Sequence, residues 1–342
     1  MSLHEHTTLE ARAQKANMSL SDFITEKQKV IRQIFQELGF SKSQIDLMFN
    51  ERITRTDTCV PFEKIDIRKR DAEYRQLFAP YELDTKQLNN ILSTGVLFSY
   101  DPRQYKQLFQ FIEHTGVPVK TFLKITRTTN GCTVLARSPQ SLIQNITKMS
   151  QALAPFGINA AQWIKMSLIR PTILKQTPDY LLNNIQKRGQ FLSQFGFSVQ
   201  DWMNASQKNP TILDRKAESF IQKHIEMCQF LKPYDIRPAE WVAACLKSPQ
   251  LFYTDPAYIQ QRFHFFINAY ESGAFIFTVL DKQNTHHLIQ TLLTSPQYLC
   301  YSDDNLQLRQ KYMDYMNKTT GQATSAVLYR TKKEIQHILS RE

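Results

Sequence analysis

The sequence predicts an all-α protein, a right- or left-handed superhelical solenoid of tandem helix–helix–3₁₀ repeats with a period of about 39 residues. Three observations predict it. Trp163, Trp202 and Trp241 stand 39 and 39 residues apart, in the frames Phe156-Gly-Ile-Asn-Ala-Ala-Gln-Trp163, Phe195-Gly-Phe-Ser-Val-Gln-Asp-Trp202 and Tyr234-Asp-Ile-Arg-Pro-Ala-Glu-Trp241. Eight residues after each tryptophan a proline leads an apolar pair, in Pro171-Thr-Ile-Leu174, Pro210-Thr-Ile-Leu213 and Pro249-Gln-Leu-Phe252. Seven residues further on a second proline recurs in Pro102, Pro139, Pro178 and Pro256, which sets repeat starts at 95, 132, 171, 210, 249 and 296 with spacings of 37, 39, 39, 39 and 47.

Each element of a unit has a local cause. The second proline begins a helix, where its fixed φ and missing N–H cost nothing. In the unit from Pro178, Leu181, Leu182, Ile185, Phe191 and Leu192 recur at helical spacing. Gly196 ends that helix in the left-handed position and Ser198 caps the next one. The second helix carries Trp202 and Met203 and stops before Pro210, and Pro-Thr-Ile-Leu is short enough only for a 3₁₀ turn. Neither helix buries its face alone, so units stack, with the tryptophans in the seams between them. Weaker copies lie upstream. Leu38-Gly39-Phe40-Ser41 repeats the Phe195 frame with Ile45 in the tryptophan's place, and Glu82 to Leu88 follows it less closely. The predicted division is a tail over 1–24, degenerate repeats over 25–94, clear repeats over 95–315 and a capping helix or tail over 316–342. Arg52 to Arg75 reads as a degenerate repeat or an insertion, and the extra length of the last full unit falls around Ala269 to Asn284.

Composition narrows the function classes. With 42% hydrophobic and 11% aromatic residues the chain builds a core, and its 9 glycines are few for the turns of an all-β fold. Lys and Arg number 42 against 31 Asp and Glu, a net charge of +11. Most of the excess lies between Thr121 and Gln250, which suits a polyanionic partner. The five cysteines are scattered and form no CxxC pair, which fits a reducing compartment. No apolar run reaches the ~18 residues of a membrane span. The N-terminal residues, with Glu5, Glu10 and two histidines, resemble neither a secretory signal nor an Arg-rich transit peptide. GxGxxG, P-loop, HExxH and GxSxG motifs are missing from the sequence. His4-Glu5-His6 and His286-His287 read as surface histidines, and His224 with Cys228 lacks the second pair that a zinc site needs. The expectation is a binding protein with no catalytic residues, metal or cofactor.

The pattern Pro-x-apolar-Leu, helix, Leu/Phe-Gly-Phe/Ile-Ser, helix, Pro resembles the mTERF repeat of the mitochondrial transcription termination factor family. Asn209-Pro-Thr-Ile-Leu213 and Phe195-Gly-Phe-Ser198 carry the likeness most clearly, and it extends over about Val30 to Tyr315. The resemblance implies a left-handed superhelix of three-helix units, the third being a 3₁₀ turn. It also implies a basic concave groove for double-stranded DNA or, in some members, RNA, with roles in organelle transcription and ribosome assembly. The sequence departs from the family in its longer repeats, its degenerate first units and its N-terminus. Octotricopeptide and TAL-like arrays fit the proline placement less well.

Two sets of residues are candidates for the groove. Five positions past the second proline stand the amides Gln107, Gln144, Asn183, Gln222 and Gln261. Amides there read adenine edges or bond phosphates, or else they solvate the helix or cap a neighbour's carbonyls. The basic set, at the end of the second helix and in the link, is Lys124, Arg127, Arg137, Lys165, Arg170, Lys175, Lys208, Arg215 and Lys247, with Lys187, Arg188 and Lys223 as first-helix alternatives. The predicted function is nucleic-acid binding, duplex DNA ahead of RNA, in regulating transcription or its termination. The alternative is a protein-binding solenoid such as a bacterial effector scaffold. The chain is expected to act as a monomer off the membrane, in the cytoplasm of a bacterium, or alternatively in a mitochondrion or as a secreted effector.

Overall fold

A computed structural model describes residues 10–53, 66–93, 97–127, 134–135, 137–271, 285–320 and 330–340. Every regular element among them is helical. The chain divides into two compact units, residues 1–178 and 179–342.

In the first unit the helices are α1 (Leu20–Glu37), α2 (Lys42–Ile53), α3 (Ile67–Phe78), α4 (Thr85–Leu92), α5 (Pro102–His114), α6 (Val119–Phe122), α7 (Pro139–Leu153) and α8 (Ala160–Ile169). They form helical hairpins, α1–α2, α3–α4, α5–α6 and α7–α8, and the last runs into the 3₁₀ link Pro171–Lys175. The upstream segments also hold helical hairpins, α1–α2 and α3–α4, and α3 takes in the part of the charged stretch from Ile67 to Arg75. Residues 54–65 lie outside the described residues.

The second unit takes up the array within α9 (Pro178–Ser193), followed by α10 (Val199–Lys208), α11 (Ala217–Leu231), α12 (Pro238–Lys247), α13 (Pro256–Glu271), α14 (Thr285–Thr294), α15 (Asp303–Thr320) and α16 (Lys332–Leu339). Its links are the 3₁₀ turns Pro210–Asp214, Pro249–Phe252 and Pro296–Cys300. The insertion expected around Ala269 to Asn284 falls mostly on 272–284, outside the described residues.

The predicted punctuation is present. Pro102, Pro139, Pro178 and Pro256 each open a first helix. Gly196 is left-handed at φ +84°, and Ser198 accepts the Asp201 N–H in a capping box. Asp235 takes the same turn position at φ 57° without being glycine. Like elements stack on like within each unit: α5 on α3 and α7, α11 on α13, α12 on α10 and α14, and link 249–252 on links 210–214 and 296–300. Trp163, Trp202 and Trp241 lie in these seams at 0%, 0% and 1% exposure. Trp202 shows how a seam is closed, since its ring centroid is 5.0 Å from both Phe220 on α11 and Phe252 in the next link.

A second set of contacts ties each link to the first helix of the preceding repeat. Six positions into that helix stand Asn145, Asn184, Lys223, Arg262 and Arg309. Asn145 donates to the Gln176 carbonyl at 2.8 Å, and Asn184 accepts the Ala217 N–H at 2.8 Å. Lys223 points its Nζ at the Tyr253 and Thr254 carbonyls, and Arg309 donates to the Arg330 carbonyl at 2.8 Å. Tyr74, Tyr105 and Tyr258 reach link carbonyls of Leu97, Leu135 and Tyr301 in the same manner. Short links leave backbone groups that no regular ladder satisfies, and these side chains satisfy them, Asn184 an N–H and the others carbonyls. Asn184→Leu should therefore cost about 1–3 kcal/mol by orphaning the buried Ala217 N–H. A fall in urea midpoint at unchanged m-value checks it, and an unchanged midpoint counts against the tie.

Candidate nucleic-acid interface

Helical hairpins give each repeat two edges. At one, the second helix ends, the link passes and the next first helix begins. At the other lie the tight turns inside the hairpins. In each unit the basic candidates lie toward the link edge of their own repeat. Lys208 and Lys247 are the last residues of α10 and α12, Lys175 closes the link after α8, and Arg215 directly follows the link after α10. Lys165 lies on α8 and Lys124 in the 3₁₀ turn Leu123–Arg127. Lys124, Arg137, Lys165, Lys175, Lys208, Arg215 and Lys247 are exposed, and Arg170, the C-cap of α8, is half-buried. The Arg127 side chain lies outside the described residues.

Some cations elsewhere meet carboxylates: Arg32 with Asp46 at 2.6 Å, Arg75 with Asp71 at 2.6 Å, Arg237 with Glu240 at 3.3 Å, and Lys120 with Glu82. Among the described residues, Lys124, Lys165, Lys208, Arg215 and Lys247 have no ion-pair partner. Two of the hairpin turns are uncharged: residues 153–160 hold no charged side chain, and 193–200 none either. One candidate has a structural task as well, because Arg137 donates from Nη1 to the Leu174 carbonyl at 3.1 Å.

The first-helix alternatives do not add to the basic edge. Lys187 is paired with Glu218 at 2.6 Å, Lys223 is turned to link carbonyls, and Arg188 is buried at 0% exposure. Burial brings Arg188 down to about 10, which still leaves it cationic at neutral pH. The amides Gln107, Gln144, Asn183, Gln222 and Gln261 are all exposed, about one and a half turns from the starts of their helices and so close to the link edge. They are not the carbonyl caps. That task belongs to the next residue along, as in Asn145, while Asn184 at the same position takes a link N–H. Gln222 makes only a long 3.4 Å bond to Glu226 one turn on.

His286 is half-buried with Nδ1 2.7 Å from the Tyr234 carbonyl, His287 is exposed, and the stretch His4 to His6 lies outside the described residues. His224 is fully buried, and among the described residues no group of three or more His, Cys, Asp or Glu is placed to hold a metal.

The helix–helix–3₁₀ unit with its proline starts is what the family comparison recognises: a model described as mTERF matches residues 144–329. The chain belongs to the mTERF family. The match covers the repeats from α7 onward and stops before α16. The mTERF family is one of nucleic-acid-binding repeat proteins, generally not enzymes. No individual characterised protein matches the sequence. The polar side chains of the first helices that sit under the links are the part of this mTERF chain that its composition conceals. Arg and Lys read as surface residues, yet Asn145, Asn184, Lys223 and Arg262 follow one another at intervals of 39 residues, and that spacing marks them as a single structural column.

Proposed function

We propose that the protein binds nucleic acid, duplex DNA ahead of RNA, along the link edge of its repeats, and that it acts in regulating transcription or its termination. The observation that supports this most is the set of exposed lysines and arginines at the link edge, Lys124, Lys165, Lys208, Arg215 and Lys247, that have no carboxylate partner among the described residues. Unpaired cations hold condensed anions loosely and gain most from a phosphate backbone, because each contact releases counterions from it. The amides near the first-helix starts lie within reach of the same edge, where a polar side chain can meet base edges while lysines meet phosphates. First helices also begin there, and their N-termini carry partial positive charge.

Binding of duplex DNA and of structured RNA across a salt series tests the reading. Lys165→Glu, Lys208→Glu and Lys247→Glu together should lower the slope of log affinity against log salt by roughly 3, at roughly 0.9 per lost phosphate contact, without changing the helical content. Binding that ignores salt, or no binding at low salt, sinks the reading and leaves a protein-docking solenoid in its place.

A further inference from the structure

We propose that the seam between α9 and α11 is a joint built into the second unit, where the stacked helices part while the rest of the unit stays folded. Arg188 makes it so.

Ten positions past the first residues of α5, α7, α9, α11 and α13 stand Ile112, Met149, Arg188, Met227 and Phe266, all buried. Four of the five are apolar, as a core column requires. The fifth is a cation. Its Nη2 donates to the Arg215 carbonyl, while its Nε and Nη1 are buried without a hydrogen-bond partner. Trp202 Nε1 and His224 Nε2, in the same seam, are also buried and unpartnered. The guanidinium is 5.0 Å from the Trp202 ring and 5.7 Å from Phe220, so aromatic faces offset part of its desolvation. Burial still outweighs the support that Tyr180 and Glu218 give its charge.

Helix packing differs at the same place. The backbones of α5 and α7, and those of α11 and α13, come close over several residues, whereas those of α9 and α11 approach less closely. Besides Arg188, the polar ties across the seam are Asn184 to the Ala217 N–H and Lys187 to Glu218. The second is an exposed pair and holds little. A charge in an apolar column leaves its seam weaker than a methionine would, because apolar replacement of a buried charge is often stabilising. Parting the helices returns the guanidinium to water and so lowers the cost of a local opening. Lys208 on α10 and Lys247 on α12 stand on opposite sides of the seam, so opening it changes their spacing along the basic edge.

The Ala217 N–H reports on the joint, since its acceptor is Asn184 across the seam at 2.8 Å. Hydrogen exchange of this amide, followed by NMR over a urea series, should show an opening with little urea dependence, distinct from the global transition. Arg188→Met should slow the exchange about tenfold and raise the thermal midpoint. The bond it loses at the Arg215 carbonyl is only part-buried and passes to water. Arg188→Lys, which keeps a cation in the seam, should exchange no more slowly than the wild type. Exchange of Ala217 only through global unfolding overturns the joint. So does an Arg188→Met chain that is unfolded, less stable or no slower to exchange. Equal slowing in Arg188→Lys overturns the part assigned to charge.

Discussion

Trp202→Ala should destabilise the second unit by about 3–5 kcal/mol, the range for removing a fully buried large aromatic side chain. Trp202 has no exposed surface, and its ring meets Phe220, Phe252 and the Arg188 guanidinium, each at 5.0 Å. These belong to three elements, α11, the following link and α9, so truncation opens a void that no single side chain can fill. In a stacked array stability is approximately a sum of unit terms and nearest-neighbour terms. The substitution acts on the neighbour term, and denaturant unfolding should show a lower midpoint together with a shallower slope as the repeats uncouple. Asn204→Ala, exposed on the same helix, should stay within about 0.5 kcal/mol of wild type. A loss below about 1 kcal/mol at Trp202 contradicts the assignment of the tryptophans to the seams.

Acid should weaken the same region through His224. Its imidazole lies against Phe220, 4.3 Å away, and Phe252, 5.2 Å away, whose rings are also 5.2 Å from each other, with Trp241 at 6.2 Å. Nδ1 lies 3.0 Å from the Phe220 carbonyl and Nε2 is buried with no partner. Burial lowers the pKa from 6.5 to about 4, against a smaller upward pull from the Phe220 carbonyl. Above pH 6.5 the imidazole is neutral in both the folded and unfolded chain and contributes nothing to pH dependence. As pH falls from 6.5 to 4 the unfolded chain takes up a proton that the folded chain refuses, so stability declines, and below 4 this decline ends. At ~1.4 kcal/mol per pKa unit the total is about 3 kcal/mol. The measurement is unfolding free energy between pH 7 and pH 4.5 for the wild type and His224→Leu. The variant should show the flatter profile, and parallel profiles would remove His224 from the account.

Much of the fold was legible because its cues are periodic. The tryptophans repeat at one interval, the prolines sit where helices and 3₁₀ turns begin, and Gly196 and Ser198 stand at a turn that the structure contains. Legibility fell where another residue does the same work. Glu82 and Asp235 adopt the left-handed turn without glycine, and Ile45 fills a seam position without an indole ring. The exposed cations of the link edge were also legible from their register. What sequence could not separate was Lys187 and Lys223 from Lys208 and Lys247, since charge alone does not reveal whether a carboxylate or a carbonyl stands opposite. Arg188 was misread as a surface candidate because arginine is rarely fully buried, and only the Arg215 carbonyl and the Trp202 ring explain its place.

The ties from first helices to links all run in one direction along the chain. Tyr74, Tyr105, Asn145, Asn184, Arg188, Lys223, Tyr258 and Arg309 each precede the link group they bind. During synthesis, when the N-terminal part emerges first, every link therefore leaves the ribosome after its receptor helix is already outside. The nascent protein can set its repeats in order of appearance, each new segment closing against a side chain that is waiting for it, with no need for the C-terminal end to be finished first.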